Sequence, residues 1–131
     1  MLPARHRLRT GADFRAVTRG RGSARSGSPL LVLHANQTDS SAARPPRVGF
    51  VVSKALGGAV VRNRVRRQLR AIVAPLLPAV PGGVDLVVRA QPAAADATFA
   101  ALRADLEHAL TRVVARMPSI AAAGAVPDGR R

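Results

Sequence analysis

The apolar positions along the chain follow two periodicities. Residues 30–35 (LLVLHA), 47–53 (RVGFVVS) and 84–89 (VDLVVR) are short runs rich in apolar and β-branched residues, the pattern of buried strands. Residues 96–117 instead place Phe99, Leu102, Leu106, Leu110, Val113 and Met117 at helical spacing, which predicts the longest helix. Arg103, Asp105, Glu107 and Arg112 read as its solvated face. A second helix is predicted over 59–74, after a turn marked by Gly57 and Gly58. A short helix is expected from Thr10 or Gly11 to about Arg19, with Asp13 in its first turn and Phe14 and Val17 on one face.

The remaining segments read as connections. Residues 20–29 are rich in Gly and Ser, and fit a loop or a loop with one short strand. Residues 36–46 read as a loop, and Pro75, Pro78, Pro81, Gly82 and Gly83 interrupt the chain after the second helix. The first ten residues are basic and irregular, a pattern expected to be mobile. Residues 1–9 are taken as a basic N-terminal segment, 10–117 as one domain and 118–131 as a disordered tail. A strand, a helix and a strand in succession predict parallel neighbours joined by a crossover. The whole pattern predicts an α+β sandwich, with a sheet on one side and helices on the other.

Charge changes this picture from fold to partner. The chain of 131 residues carries a net +14, from 20 Arg and the single Lys54. Residues 1–70 hold a net +13, whereas residues 71–131 hold +1. So one-sided an excess points to a polyanion-binding surface. Without cysteine, disulfides and thiolate metal sites are excluded. The seven acids are scattered and offer no ligand cluster for a protein-held metal. The basic N-terminus lacks the apolar run of a secretory signal, and no stretch approaches a spanning helix, so a soluble cytoplasmic protein is expected.

The excess peaks at residues 60–70, VVRNRVRRQLR, where five of eleven residues are Arg and none is acidic. On a helical wheel Val61, Val65, Leu69 and Ile72 form one narrow stripe. Asn63, Arg66, Arg67 and Arg70 gather opposite, with Arg62 and Arg64 at the stripe's edges. The pairs Arg62–Arg66 and Arg66–Arg70 are i,i+4 repulsions of roughly 0.2–0.5 kcal/mol each. Arg62 and Arg64 also oppose the dipole at the helix start. A helix selected for stability alone would carry acids there. The stripe is too narrow and aliphatic for a membrane-surface helix. Nucleic acid fits better: Arg forks match phosphate oxygens, and Asn63 can reach a sugar or base edge. Phe14, Phe50 and Phe99 are the only aromatics, so a stacking platform is not expected.

Residues 48–70, VGFVVSKALGGAVVRNRVRRQLR, closely resemble the signature of the protein subunit of bacterial ribonuclease P: a strand ending VSK, a Gly-rich turn, and an RNR helix continuing Arg66-Arg67-x-Leu69-Arg70. RHRLRTGADF at the start is similar to the family's basic N-terminus and first helix, and the likeness covers about residues 5–116. It implies a two-layer α/β sandwich of order α-β-β-β-α-β-α with a four-stranded mixed sheet and a left-handed crossover through the RNR helix. The same fold occurs in the second domain of a small-subunit ribosomal protein and in domain IV of elongation factor G.

The resemblance also implies a role in removing the 5′ leader of precursor tRNA, in an endoribonuclease whose catalytic centre and Mg2+ belong to the RNA subunit and substrate phosphates. No catalytic residue is expected on the protein, and no protein partner or membrane is required. The implied contacts with RNA are Arg62, Asn63, Arg64, Arg66, Arg67, Arg70, Ser53, Lys54 and Arg9. The implied leader cleft comprises Phe14, Arg15, Val17, Thr18, His34 and Arg47. Thr18 stands where many members carry a second aromatic, and His34 where Tyr is frequent. Ala55 and Gly58 replace a Lys and an Asn, and a basic residue near the last strand falls at Arg89.

Two other functions are open to the residues alone. One is a general structured-RNA or ribosome-binding module of the same fold. The other is a protein ribonuclease working without RNA, which would need paired acid–base groups. His6, His34 and His108 share no spacing that suggests such a pair.

Overall fold

The computed structural model of the chain describes residues 6–8, 10–19, 23–37 and 44–116. In order come helix α1 (Gly11–Arg19), strands β1 (Ala24–Gly27), β2 (Leu31–Gln37) and β3 (Arg47–Val51), helix α2 (Ala59–Val73), strand β4 (Val84–Ala90) and helix α3 (Phe99–Ala115). Short 3-10 turns occupy Lys54–Leu56, Ala74–Ala79 and Pro92–Asp96.

The four strands form one mixed sheet of order β1-β2-β4-β3. β2 runs antiparallel to both β1 and β4, while β3 and β4 pair in parallel. The parallel pair is the one expected from the strand–helix–strand succession, and α2 is its connection. β1 is the short strand left open within residues 20–29.

Alternation along the strands divides the side chains between two faces. Leu33 and Ala35 of β2, Val48 of β3, and Leu86 and Val88 of β4 meet Val65, Leu69 and Ile72 of α2 and Leu102, Leu106 and Val113 of α3. Each such buried Val, Leu or Ile side chain contributes roughly 1.5–3 kcal/mol. The other face carries Val87, which packs with Val17 of α1 and with Leu8, against Phe14 and Val51. Thus α1 lies opposite α2 and α3, and the expectation of all helices on one side is corrected. The reason is in α1 itself: Phe14 and Val17 need an apolar surface, and the first face is already filled by the two longer helices.

Several boundaries also move. Residues 36 and 37 extend β2 rather than open a loop, because Asn36 stands opposite Asp85 and Gln37 opposite Val84. Asn36 is buried, and its Nδ2 donates to the Ala16 carbonyl at 2.8 Å, fastening α1 to the sheet. The last helix starts at Phe99 rather than 96, since Thr98 caps it by accepting from the Ala101 amide at 3.0 Å. At that first position Phe99 is 41% exposed and not a core residue. Asp105 is not simply solvated: its Oδ2 accepts from the Ser28 hydroxyl at 2.7 Å, tying α3 to the β1–β2 turn. Met117 and the tail 118–131 lie outside the described residues.

Residues 6–8 are docked, against the expectation of a mobile start. Arg7 bridges Val48 in parallel, and the Leu8 amide donates to the Val48 carbonyl at 3.0 Å. Leu8 is buried, and His6 Nδ1 donates to the Pro46 carbonyl at 2.7 Å. This segment covers the outer edge of β3, which would otherwise present unpaired backbone groups.

Candidate nucleic-acid interface

Two backbone features deliver α2 to the surface. Gly57 has φ 141°, a conformation open to glycine and costly for other residues. Gly58 is then the N-cap, with no side chain to satisfy the first amides, and no acid occupies the first turn. Ser53 and Lys54 precede this turn and are exposed; the Ser53 hydroxyl accepts from the Ala55 amide at 3.4 Å.

On α2, Val65, Leu69, Ile72 and Val73 are buried, and Val61 is packed at the core's margin. The expected stripe is therefore the core face, widened by Val73. Asn63, Arg67 and Arg70 are exposed and Arg66 is half-exposed. Arg66 Nη1 donates to Asn63 Oδ1 at 3.1 Å, which orders the middle of this face. The two flanking arginines differ from the rest. Arg64 Nη2 donates to the Ala95 carbonyl at 2.6 Å, bracing the turn before α3. Arg62 is half-buried, and its Nε is buried without a hydrogen-bond partner. Among the described residues no ion pair reaches an arginine of α2, the ion pairs there being Arg44–Asp85, Arg47–Asp85 and Arg47–Asp13. The face is left cationic, without a counter-charge among the described residues.

A separate open cleft of about 590 Å³ lies between α1 and the sheet. Phe14, Arg15 and Thr18 of α1 form one wall; His34, Val51, Val87 and Arg89 form the floor and the other wall. Burial, then Arg89, then Arg25 across the strand pair push the His34 imidazole below its ordinary value. His34 thus favours its neutral form in a cationic, partly dry setting.

Of the six expected cleft residues, four line it: Phe14, Arg15, Thr18 and His34. Two do not. Val17 is fully buried beneath the cleft against Leu8 and Val87. Arg47 is turned to carboxylates, with Nε 3.0 Å from Asp85 Oδ1, Nη2 2.7 Å from Asp85 Oδ2, and Nη2 3.7 Å from Asp13. Arg89, expected only as a basic residue near the last strand, belongs to the cleft; alternation from Val87 places it on the α1 face. Arg9 lies outside the described residues.

The cleft and α2 are joined by a groove of about 140 Å³ at the edge of β3, lined by Arg7, Leu8, Phe14, Val48, Gly49, Phe50, Arg66 and Arg70. Phe14 is thereby common to both, and Arg66 and Arg70 are the α2 residues nearest the cleft side. Among the described residues there is no group of acids or histidines fit to hold a metal.

A small α+β domain with a cationic helix on one face of a sheet and a basic, Phe-walled cleft on the other has the charge pattern expected of a polyanion-binding domain. The sequence model of the Ribonuclease P family matches residues 2–114, and with the relatives below it shows that the chain belongs to the family of bacterial ribonuclease P protein components, subunits of the ribonuclease P holoenzyme. A ribonuclease P protein component from Nocardioides sp. is 50% identical over 118 residues, covering 89% of this chain and 98% of the relative. One from Streptomyces bikiniensis is 53% identical over 121 residues, covering 87% and 96%. The solved RNase P protein of Staphylococcus aureus superposes with a TM-score of 0.72 at 26% identity, covering 86% of this chain and 96% of that one. That of Thermotoga maritima gives 0.65 at 24% identity, covering 78% and 92%, a likeness of fold.

Proposed function

We infer that the chain binds the catalytic RNA of ribonuclease P through α2 and receives the 5′ leader of precursor tRNA in the α1 cleft. In this reading it assists endonucleolytic removal of the leader and carries no catalytic residue of its own. Asn63, Arg66, Arg67 and Arg70 supply phosphate and sugar contacts, with Lys54, Ser53 and Arg62 beside them. Arg64 has a second duty at Ala95. The leader would be held by the Phe14 ring, by Arg15 and Arg89 against phosphates, and by His34 and Thr18 through hydrogen bonds. Mg2+ would be held by RNA and substrate phosphates, with the protein lowering the amount needed by screening phosphate repulsion. The assembly would work in the cytoplasm; no described helix is long and apolar enough to cross a membrane.

The observation that carries this reading is the pair of surfaces. A cationic helix face without ion pairs among the described residues and an open, basic cleft stand on opposite faces of one sheet. A general RNA-binding module would need the first and not the second.

Reconstitution with the cognate RNA tests it. The protein alone leaves precursor tRNA intact, and the holoenzyme cleaves it at lower Mg2+ than the RNA alone. It also binds precursor more tightly than mature tRNA in the same salt. Equal affinity for the two would favour the general RNA-binding module, and cleavage by RNA-free protein would point to a protein ribonuclease.

A further inference from the structure

Gly49 sits in the middle of β3, beside Val87 of β4, on the face covered by α1. A Cβ on Gly49 would stand 2.3 Å from Phe14 Cζ, 2.6 Å from Phe14 Cε2 and 3.1 Å from Leu8 Cβ. Its φ is not in the left-handed region, so the backbone does not demand glycine there. The demand is spatial. The bare backbone at Gly49 forms a notch, and the edge of the Phe14 ring fills it.

That seat fixes the ring's height. Phe14 cannot retreat toward α1, because Leu8 and Val17 pack beside it, and its own helix is fastened through Asn36 and the Ala16 carbonyl. The ring is also the wall between the cleft and the groove that leads to Arg66 and Arg70. A side chain at position 49 would lift the ring into the cleft and narrow the space above Val87.

We propose that Gly49 is a positioning residue: its missing side chain sets the depth of the cleft by seating Phe14, and so determines how well single-stranded leader RNA is held. The inference rests on the cleft receiving the leader, as proposed above.

The experiment is a double-mutant cycle on the reconstituted holoenzyme. Dissociation constants for precursor and mature tRNA are measured at one salt concentration for the unaltered protein, Gly49→Ala, Phe14→Leu and the double variant. Gly49→Ala lowers the precursor-over-mature preference by about tenfold, or about 1.4 kcal/mol. Phe14→Leu lowers it too, and adding Gly49→Ala to Phe14→Leu lowers it no further, since the two ring atoms within 3 Å are gone and only the milder 3.1 Å approach to Leu8 Cβ remains. A Gly49→Ala preference equal to that of the unaltered protein overturns the proposal, as does a second, additive loss in the Phe14→Leu background. Should Gly49→Ala alone not fold, the double variant is expected to fold, and its failure to do so likewise overturns it. No preference in the unaltered protein would defeat the leader reading, and this inference with it. A preference there that Gly49→Ala leaves intact defeats the notch alone.

Discussion

Arg47 of β3 and Asp85 of β4 face one another in the parallel register and pair two-pronged through one guanidinium edge, Nε to Oδ1 at 3.0 Å and Nη2 to Oδ2 at 2.7 Å. Asp85 is completely buried, and Arg44 Nη1 reaches its Oδ1 as well, at 3.0 Å. A buried carboxylate depends on its cations, whereas the two arginines retain some access to water. Arg47→Ala should therefore cost about 3 kcal/mol, the low end for a broken buried pair because Arg44 remains. Adding Asp85→Asn should return part of that loss. Urea unfolding of both variants checks this. An Arg47→Ala cost that Asp85→Asn merely increases would mean that Arg47 acts through packing rather than charge.

The cationic face of α2 makes an opposite prediction for stability. Arg66 and Arg67 have no acidic partner among the described residues, so Arg66→Ala or Arg67→Ala should change folding stability by less than about 0.5 kcal/mol. RNA affinity should fall, and the slope of log affinity against log salt should flatten by roughly 0.7–0.9 for each phosphate left without its arginine. Arg64→Ala differs in kind, because it also frees the Ala95 carbonyl. Binding titrations over a salt series separate these cases, and an unaltered slope for both Arg66→Ala and Arg67→Ala would count against phosphate binding there.

His34 gives the cleft a pH dependence of two signs. Its folded pKa is lowered from 6.5, chiefly by burial and then by Arg89 and Arg25; Arg15 faces the same space from α1. In the window below 6.5 the unfolded chain holds the proton that the folded chain refuses. His34 therefore contributes stability that is full above that value and is lost as the pH falls through the folded pKa. RNA phosphate in the cleft would favour the protonated ring, so preference for precursor tRNA should rise as the pH falls through the same window. His34→Gln should remove both trends. Anisotropy titrations and unfolding curves between about pH 5 and 8 read them separately.

The legible parts of this molecule are those that repeat. The three apolar runs and the wheel of residues 61–74 state the sheet and the core face of α2 directly, since burial imposes period 2 or 3.6 on the chain. The departures come from single contacts with no period. Asn36 reads as loop, yet its amide meets the Ala16 carbonyl; Asp105 reads as solvated, yet Ser28 stands beside it. Val17 and Arg47 share α1's side of the sheet with the cleft but point into the core and toward carboxylates, a distinction of direction that spacing does not encode. The cleft itself follows from the family likeness rather than from pattern. The four expected residues that line it come from two elements that only the fold brings together.

The N-terminal segment yields the last prediction. Leu8 is buried against Val17 and Val87 and touches the underside of Phe14, although it lies only three residues before α1. Removing a buried leucine side chain generally costs 2–5 kcal/mol, the lower figure applying where neighbours can collapse into the space. Here Phe14 and the segment's own backbone can both shift, so Leu8→Ala should cost about 2 kcal/mol. The ring of Phe14 should sink as it loses that support, opening the cleft and weakening precursor preference without touching α2. Leu8→Met, which keeps the volume, should restore most of both properties, since volume-conserving swaps cost less than about 1.5 kcal/mol. Denaturant unfolding measures the first effect, and paired tRNA titrations the second. A Leu8→Ala protein as stable as the unaltered one would show that residues 6–8 add nothing to the fold beyond the edge of β3.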